Sequence, residues 1–460
     1  MNKIKLLFLA FILVVINTAC GDEDEPQSVL VNFNNTNIGV SPNESEVELK
    51  LVFSRPAPES GEIKVKFGSD LIYGPEADFY TQPAANSDLV TVSYVKGDES
   101  AIIKVFTGSG LNIQADEEVV FQVEPSEAIT IPGIQDEATV LFSENFISES
   151  GSLSFDAGGE SFTKVSFVDL SKLTETSVDK FTWDLSFYNL QGAFYVSLNS
   201  SAFVMARPLS KSDISEVVPE DTLDFGYEMN IPPPNYDPSI GAHNWVDSSN
   251  GDLTAGVIGE ISTLATENPV YVIKRPGKDW KLVKITAENG TYKVTTSNID
   301  GSNIKDYTIQ KVPDYNFTYL ELENGVQPVA PKSDSWDLMY GTYTKVISMG
   351  PDAYIPYGYK DFIVMNRKNT TVAKVLVEDI AYEEITLDDI ENLQFNAEID
   401  ALGSDWRSSG GPTSSPAVYE DRYFVIHDSQ GNYYKLQFLN MTSTTGERGY
   451  VDFKFQLISE

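Results

Sequence analysis

The sequence predicts an all-β protein, mainly antiparallel, with an N-terminal β-sandwich followed by two further β-domains and a few short helices. Three observations carry this expectation. Over residues 28–146 apolar and polar residues alternate, as in Val47-Glu48-Leu49-Lys50-Leu51-Val52-Phe53 and Ile63-Lys64-Val65-Lys66-Phe67, and a period of two puts alternate side chains on opposite faces of a strand. Further on, Trp183-Asp184-Leu185 returns as Trp336-Asp337-Leu338, and Val270-Tyr271-Val272-Ile273 returns as Tyr423-Phe424-Val425-Ile426. One spacing separates Trp183 from Trp336 and Val272 from Val425, which marks a duplication, and it is far too long for a solenoid unit. A chain of 460 residues also exceeds what one core serves, so three domains are expected.

In chain order, Lys3 and Lys5 form a small positive head before the apolar run Leu6 to Ile16, which has signal-peptide length. The run ends at Asn17-Thr18-Ala19-Cys20, and Cys20 is the only cysteine. This resembles the lipobox of bacterial lipoproteins, in which the cysteine is acylated and begins the mature chain; Asn17 departs from the aliphatic residue that pattern prefers. Residues 1–19 are then a signal peptide and 20–27 an acidic tether. Its run Gly21-Asp22-Glu23-Asp24-Glu25 resembles the export signals of surface lipoproteins in Bacteroidetes-type bacteria. The resemblance implies an outer-membrane protein held by acyl chains on Cys20 and facing the cell exterior. The formal charge of −36 is spread along the chain with no cluster of Lys and Arg, which argues against nucleic acid as a partner.

Six or seven alternating segments in residues 28–146 make a sandwich the economical arrangement. The order Ser41-Pro42-Asn43-Glu44, Gly74-Pro75-Glu76-Ala77-Asp78-Phe79, Lys96-Gly97-Asp98-Glu99 and Asp116-Glu117-Glu118 resembles Calx-β and related immunoglobulin-like modules. That resemblance implies calcium at one end of the sandwich, with Asp78, Asp116 and Glu118 as candidate ligands, because a hard cation needs six to eight oxygens. The other reading is a spacer domain whose turns carry acids because the whole chain does.

The tandem domains are expected at residues 147–311 and 312–460. In the second, Thr386 and Asp389 read as a capping pair opening a helix that carries Leu387, Ile390 and Leu393. Trp336-Asp337-Leu338, Asp405-Trp406, Gly411-Pro412, Phe424-Val425-Ile426, Gly431-Asn432 and Tyr434-Lys435-Leu436-Gln437-Phe438 together resemble the HmuY family of haem-binding proteins. The first copy is similar through Trp183-Asp184-Leu185, Asn244-Trp245 and Val270 to Leu282.

The resemblance implies haem held between two axial histidine or methionine side chains, one of them in the loop after the Asp-Trp pair. Here that position is Gly410, which cannot ligate iron. The remaining candidates are His243, in a proline-rich loop, with Met229 and Met349 in loop-like settings; His427 reads as a solvent-facing residue at a strand end. Trp245, Trp280 and Trp406 lie near turns and admit a second reading, a glycan-binding or adhesive surface protein that has lost the haem site, against burial in the core as the plain alternative. With two histidines and its one cysteine committed to lipid, the chain carries no nucleophilic triad, and it has no Walker or dinucleotide motif. The sequence therefore points to a binding protein for haem or a related tetrapyrrole, or for a host protein or glycan, rather than to an enzyme.

Overall fold

The computed structural model describes residues 28–459 apart from 41–45, 112–116, 126–129, 144–146, 223–227, 232–243, 351–352, 411–413 and 444–445. The leader, Cys20 and the acidic tether lie outside the described residues. The chain divides into two compact units, the first ending at Phe146 and the second running from Ile147 to Glu460.

The first unit contains two five-stranded sheets. One runs Phe79–Gln82, Ser100–Thr107, Glu46–Phe53, Val29–Phe33, Thr130–Pro132, and the other Asn37–Val40, Glu137–Phe142, Glu117–Val123, Gly61–Ser69, Leu89–Tyr94. Alternation decides which face is buried: in Glu46–Phe53 the side chains of Val47, Leu49, Leu51 and Phe53 turn inward, and in Gly61–Ser69 those of Ile63, Val65 and Phe67 do. Pairing is antiparallel except where Val29–Phe33 meets Thr130–Pro132 and Asn37–Val40 meets Glu137–Phe142.

Across the boundary expected between 147–311 and 312–460 the second unit is one compact unit, and the two copies pair strands with each other. Lys164–Asp169, from the first copy, pairs antiparallel with Leu338–Gly350 from the second, Ser166 opposite Tyr340. Phe317–Glu321, from the second, pairs with Leu185–Tyr188 from the first, Leu185 opposite Leu320. Ser150–Asp156 closes the arrangement by pairing along its whole length with the C-terminal strand Tyr450–Leu457. Each Trp-Asp strand takes one hydrogen-bonded neighbour from its own copy and one from the other.

The duplication itself is visible atom by atom. Asp184 donates its N–H to the Leu320 carbonyl (2.9 Å) and accepts the Leu322 N–H on Oδ2 (2.9 Å). Asp337 does the same with the Val168 carbonyl (2.7 Å) and the Leu170 N–H (2.8 Å). An asparagine ties down each tryptophan: Asn199 Nδ2 donates to the Lys180 and Trp183 carbonyls, and Asn366 Nδ2 to those of Ser333 and Trp336. Both tryptophans enter one apolar cluster with Val165, Phe167, Met339 and Phe362. The helix at Thr386 is a single turn, Leu387–Ile390, with the Asp389 carboxylate accepting both the N–H and the hydroxyl of Thr386 at 2.9 Å.

Candidate functional site

Among the described residues of the second unit, two concavities bear on function. The outer one is an open cleft of about 390 Å³ lined by Lys345, Tyr359, Phe362, residues 400–405, Arg407 and Tyr419. One wall is the long hairpin of Leu338–Gly350 with Ala353–Met365, in which Lys345 stands opposite Tyr357 and Tyr343 opposite Tyr359. Residues directly opposite each other share a face, so these side chains fall on one side of the hairpin and Val346, opposite Pro356, on the other. The second wall is the loop through Trp406. That indole is buried and stacked on Phe438, with ring centroids 4.5 Å apart, and its carbonyl accepts the Tyr419 N–H at 2.9 Å. The loop then continues as a two-stranded ribbon, Arg407 opposite Val418.

Charged groups line this cleft beside its aromatic rings. Lys345 Nζ lies 2.8 Å from Asp400, which also accepts the Ser249 hydroxyl. The Arg407 guanidinium is buried, donates to the Lys360 carbonyl (2.5 Å), and burial holds its pKa below the usual arginine value. Arg422 lies over the Tyr419 ring at 4.2 Å and pairs with Asp405 at 2.7 Å. Tyr359 and Tyr419 offer partly exposed rings, Phe362 is buried, and Lys345, Asp400 and Asp405 share the lining, so the cleft presents aromatic edges among charged groups.

The inner concavity is a cavity of about 130 Å³ between the exchanged strands, with Trp183, Trp336, Tyr319, Tyr343, Asp247 and Arg367 among its walls. Burial raises the Tyr319 and Tyr343 phenols and depresses the Arg367 guanidinium. Asp247 is pushed up to about 6 by burial, although its two oxygens accept the Leu198 and Val257 N–H groups.

The residues singled out from the sequence do not converge. His243 and Asp116 lie outside the described residues. Met229 packs against a cluster containing Met205, Trp245, Val272 and Val346, and Asn230 next to it donates to the Pro356 carbonyl and accepts the Gly358 N–H. Met229 thus sits on the Val346 side of the hairpin, away from Lys345. Met349 is 58% exposed at the outer end of the hairpin, where the register shifts between Ser348 and Gly350. It stands four residues beyond Lys345, on the order of 13 Å along an extended strand. The two methionines therefore form no pair about one site.

Gly410 takes φ +75°, and a Cβ there would stand 2.7 Å from the Ser414 carbonyl oxygen and 2.8 Å from Pro416 N. Backbone occupies the space into which a ligand side chain would project. His427 is corrected from a solvent-facing residue to a half-buried one stacked on Tyr433, centroids 4.3 Å apart, while its neighbour Asp428 turns inward. Trp245 and Trp406 are buried and offer no open sugar platform. In the first unit Asp78 spends Oδ2 on the Ile72 N–H (2.7 Å), and Glu118 is exposed on the strand whose Glu118 carbonyl accepts the Ser69 hydroxyl. Among the described residues no group of three or more His, Cys, Asp or Glu is gathered to hold a metal ion. Arg367 and Lys345 carry no local sequence signal, whereas Arg407 directly follows the Asp405-Trp406 pair in a strongly acidic chain.

A family model described as HmuY protein matches residues 161–455 as one continuous stretch. No curated protein matches the chain. Among solved structures, a candidate HmuY-like heme-binding protein from Bacteroides vulgatus is 9% identical over 68% of this chain and 93% of its own, with TM-score 0.19. A candidate carbohydrate-binding protein from Bacteroides ovatus is 9% identical over 94% of this chain and 98% of its own, with TM-score 0.19. The apo CBD1 domain of Calx is 15% identical over 25% of this chain and 96% of its own, with TM-score 0.21.

Proposed function

The chain belongs to the HmuY family, and from that premise we propose that it is a surface lipoprotein, anchored through Cys20, that captures a haem-type tetrapyrrole in the outer cleft. The observation that supports this most is the composition of the cleft beside the long hairpin: Tyr359 and Tyr419 for the ring, and Lys345, whose side chain is 41% exposed, for a carboxylate. Members of the family bind rather than catalyse, and the cleft is furnished for holding a ligand.

The donor set departs from two-sided iron ligation. Gly410 replaces the family's ligand with closed backbone, and Met229 is packed on the far side of the hairpin from Lys345. In this reading the macrocycle and its carboxylates supply the affinity, and the iron is not bracketed by a pair of protein side chains from the described residues. Absorbance titration of the mature chain with haem tests it. Lys345→Met should weaken binding by about tenfold, the worth of one charge-assisted hydrogen bond, whereas Met349→Ala should change it by less than about threefold. Loss of binding in the Met349 variant alone would move the reading back to axial ligation. Featureless absorbance for every protein would favour the glycan- or host-protein-binding alternative.

A further inference from the structure

We propose that the inner cavity between the exchanged strands is a second binding site, for a small organic monocarboxylate with a single flat ring. Its volume of about 130 Å³ admits nothing the size of a tetrapyrrole and, being somewhat less than the roughly 150 Å³ that takes one benzene ring, at most one small ring. The walls include the aromatic side chains of Trp183, Trp336, Tyr319 and Tyr343 together with Asp247 and Asp252.

Arg367 gives the ligand its charge. Arg367 lines the cavity, and among the described residues its guanidinium makes one hydrogen bond, from Nη2 to the Gly251 carbonyl at 2.9 Å. Its guanidinium stacks over Phe317 (5.3 Å) and Tyr188 (5.8 Å), and no carboxylate pairs with it among the described residues. Asp252, the acid whose charge acts on it through space, is turned on Thr254, accepting that residue's N–H at 2.9 Å and hydroxyl at 2.7 Å. A desolvated guanidinium whose fork is mostly unspent is built to receive a carboxylate.

Asp247 sets the limit on this anion site. Its carboxylate is on the wall, but both oxygens are committed to the Leu198 and Val257 N–H groups, so it does not compete for Arg367. One anionic group with an apolar body fits the cavity, whereas a dianion would meet Asp247 as well.

The experiment is calorimetric titration of the full mature chain with benzoate, and with benzamide as the uncharged isostere. Benzoate should saturate one site per chain and perturb tryptophan emission through Trp183 and Trp336, while benzamide binds about tenfold more weakly or not at all. Arg367→Gln should lose about tenfold in benzoate affinity with the haem titration unchanged, and Arg367→Lys should lose less. Equal binding of benzoate and benzamide overturns the proposal, as does a folded Arg367→Gln that keeps its affinity, or no response to millimolar benzoate. The benzoate and benzamide comparison uses the native chain and stays decisive if the variants do not fold. Porphyrin binding is read separately, so failure here leaves the cleft untouched.

Discussion

Gly410 and Asp247 show how far single residues could be read. That Gly410 stands where the family carries an iron ligand was legible in the sequence. The reason no side chain fits there was not, because it lies in the folded path of Ser414 to Pro416. Asp247 was invisible among 68 acids; only folding separates it from the exposed majority. Its pKa of about 6 lies above the unfolded carboxylate value of 3.8, so the native state holds an extra proton between those limits. The sign follows: stability falls as pH rises through the window. Relative to Asp247→Asn, which cannot titrate, the native chain should gain about 2 kcal/mol on going from pH 7 to pH 4, read by denaturant unfolding at both values. A constant difference between the two proteins would show that Asp247 is not buried as described.

At the level of elements, the repeat located equivalent strands correctly but could not say which copy each would pair with. Backbone hydrogen bonding in a sheet carries no label of origin, and the exchange is settled by which pairing covers Trp183 and Trp336 together. The two copies have also diverged in charge at one position. After the Val-Ile strand of the first copy, Arg275 is buried between Asp184 (3.0 Å) and Glu321. The same place in the second copy holds Asp428, which accepts the N–H groups of Gln430 and Asn432 in its own turn. With no cation there, burial and the neighbouring Asp169 hold Asp337 well above the usual carboxylate range. Removing one partner of a buried ion pair strands the others. Arg275→Met should therefore cost roughly 3–5 kcal/mol in an unfolding titration; a loss below about 1 kcal/mol would mean that Asp184 and Glu321 are neutral without it.

For the whole molecule, the all-β class and the separate N-terminal sandwich were legible from period-two alternation, while the number of units after it was not. A fragment of residues 147–311 would leave Leu185–Tyr188 without Phe317–Glu321 and Lys164–Asp169 without Leu338–Gly350. It should show no cooperative thermal transition by circular dichroism, whereas residues 147–460 should unfold as one unit. Cooperative folding of the shorter fragment would restore the tandem-domain arrangement. Cleft and cavity both draw residues from widely separated parts of the second unit, which is why no local motif announced either.

The account rests most heavily on a tetrapyrrole held by its ring and carboxylates rather than by a pair of iron ligands. Parallel titrations with haem and with metal-free protoporphyrin measure this directly. The account predicts that both bind, with affinities within about tenfold of each other. Tight binding of haem with none of the metal-free ring would contradict it.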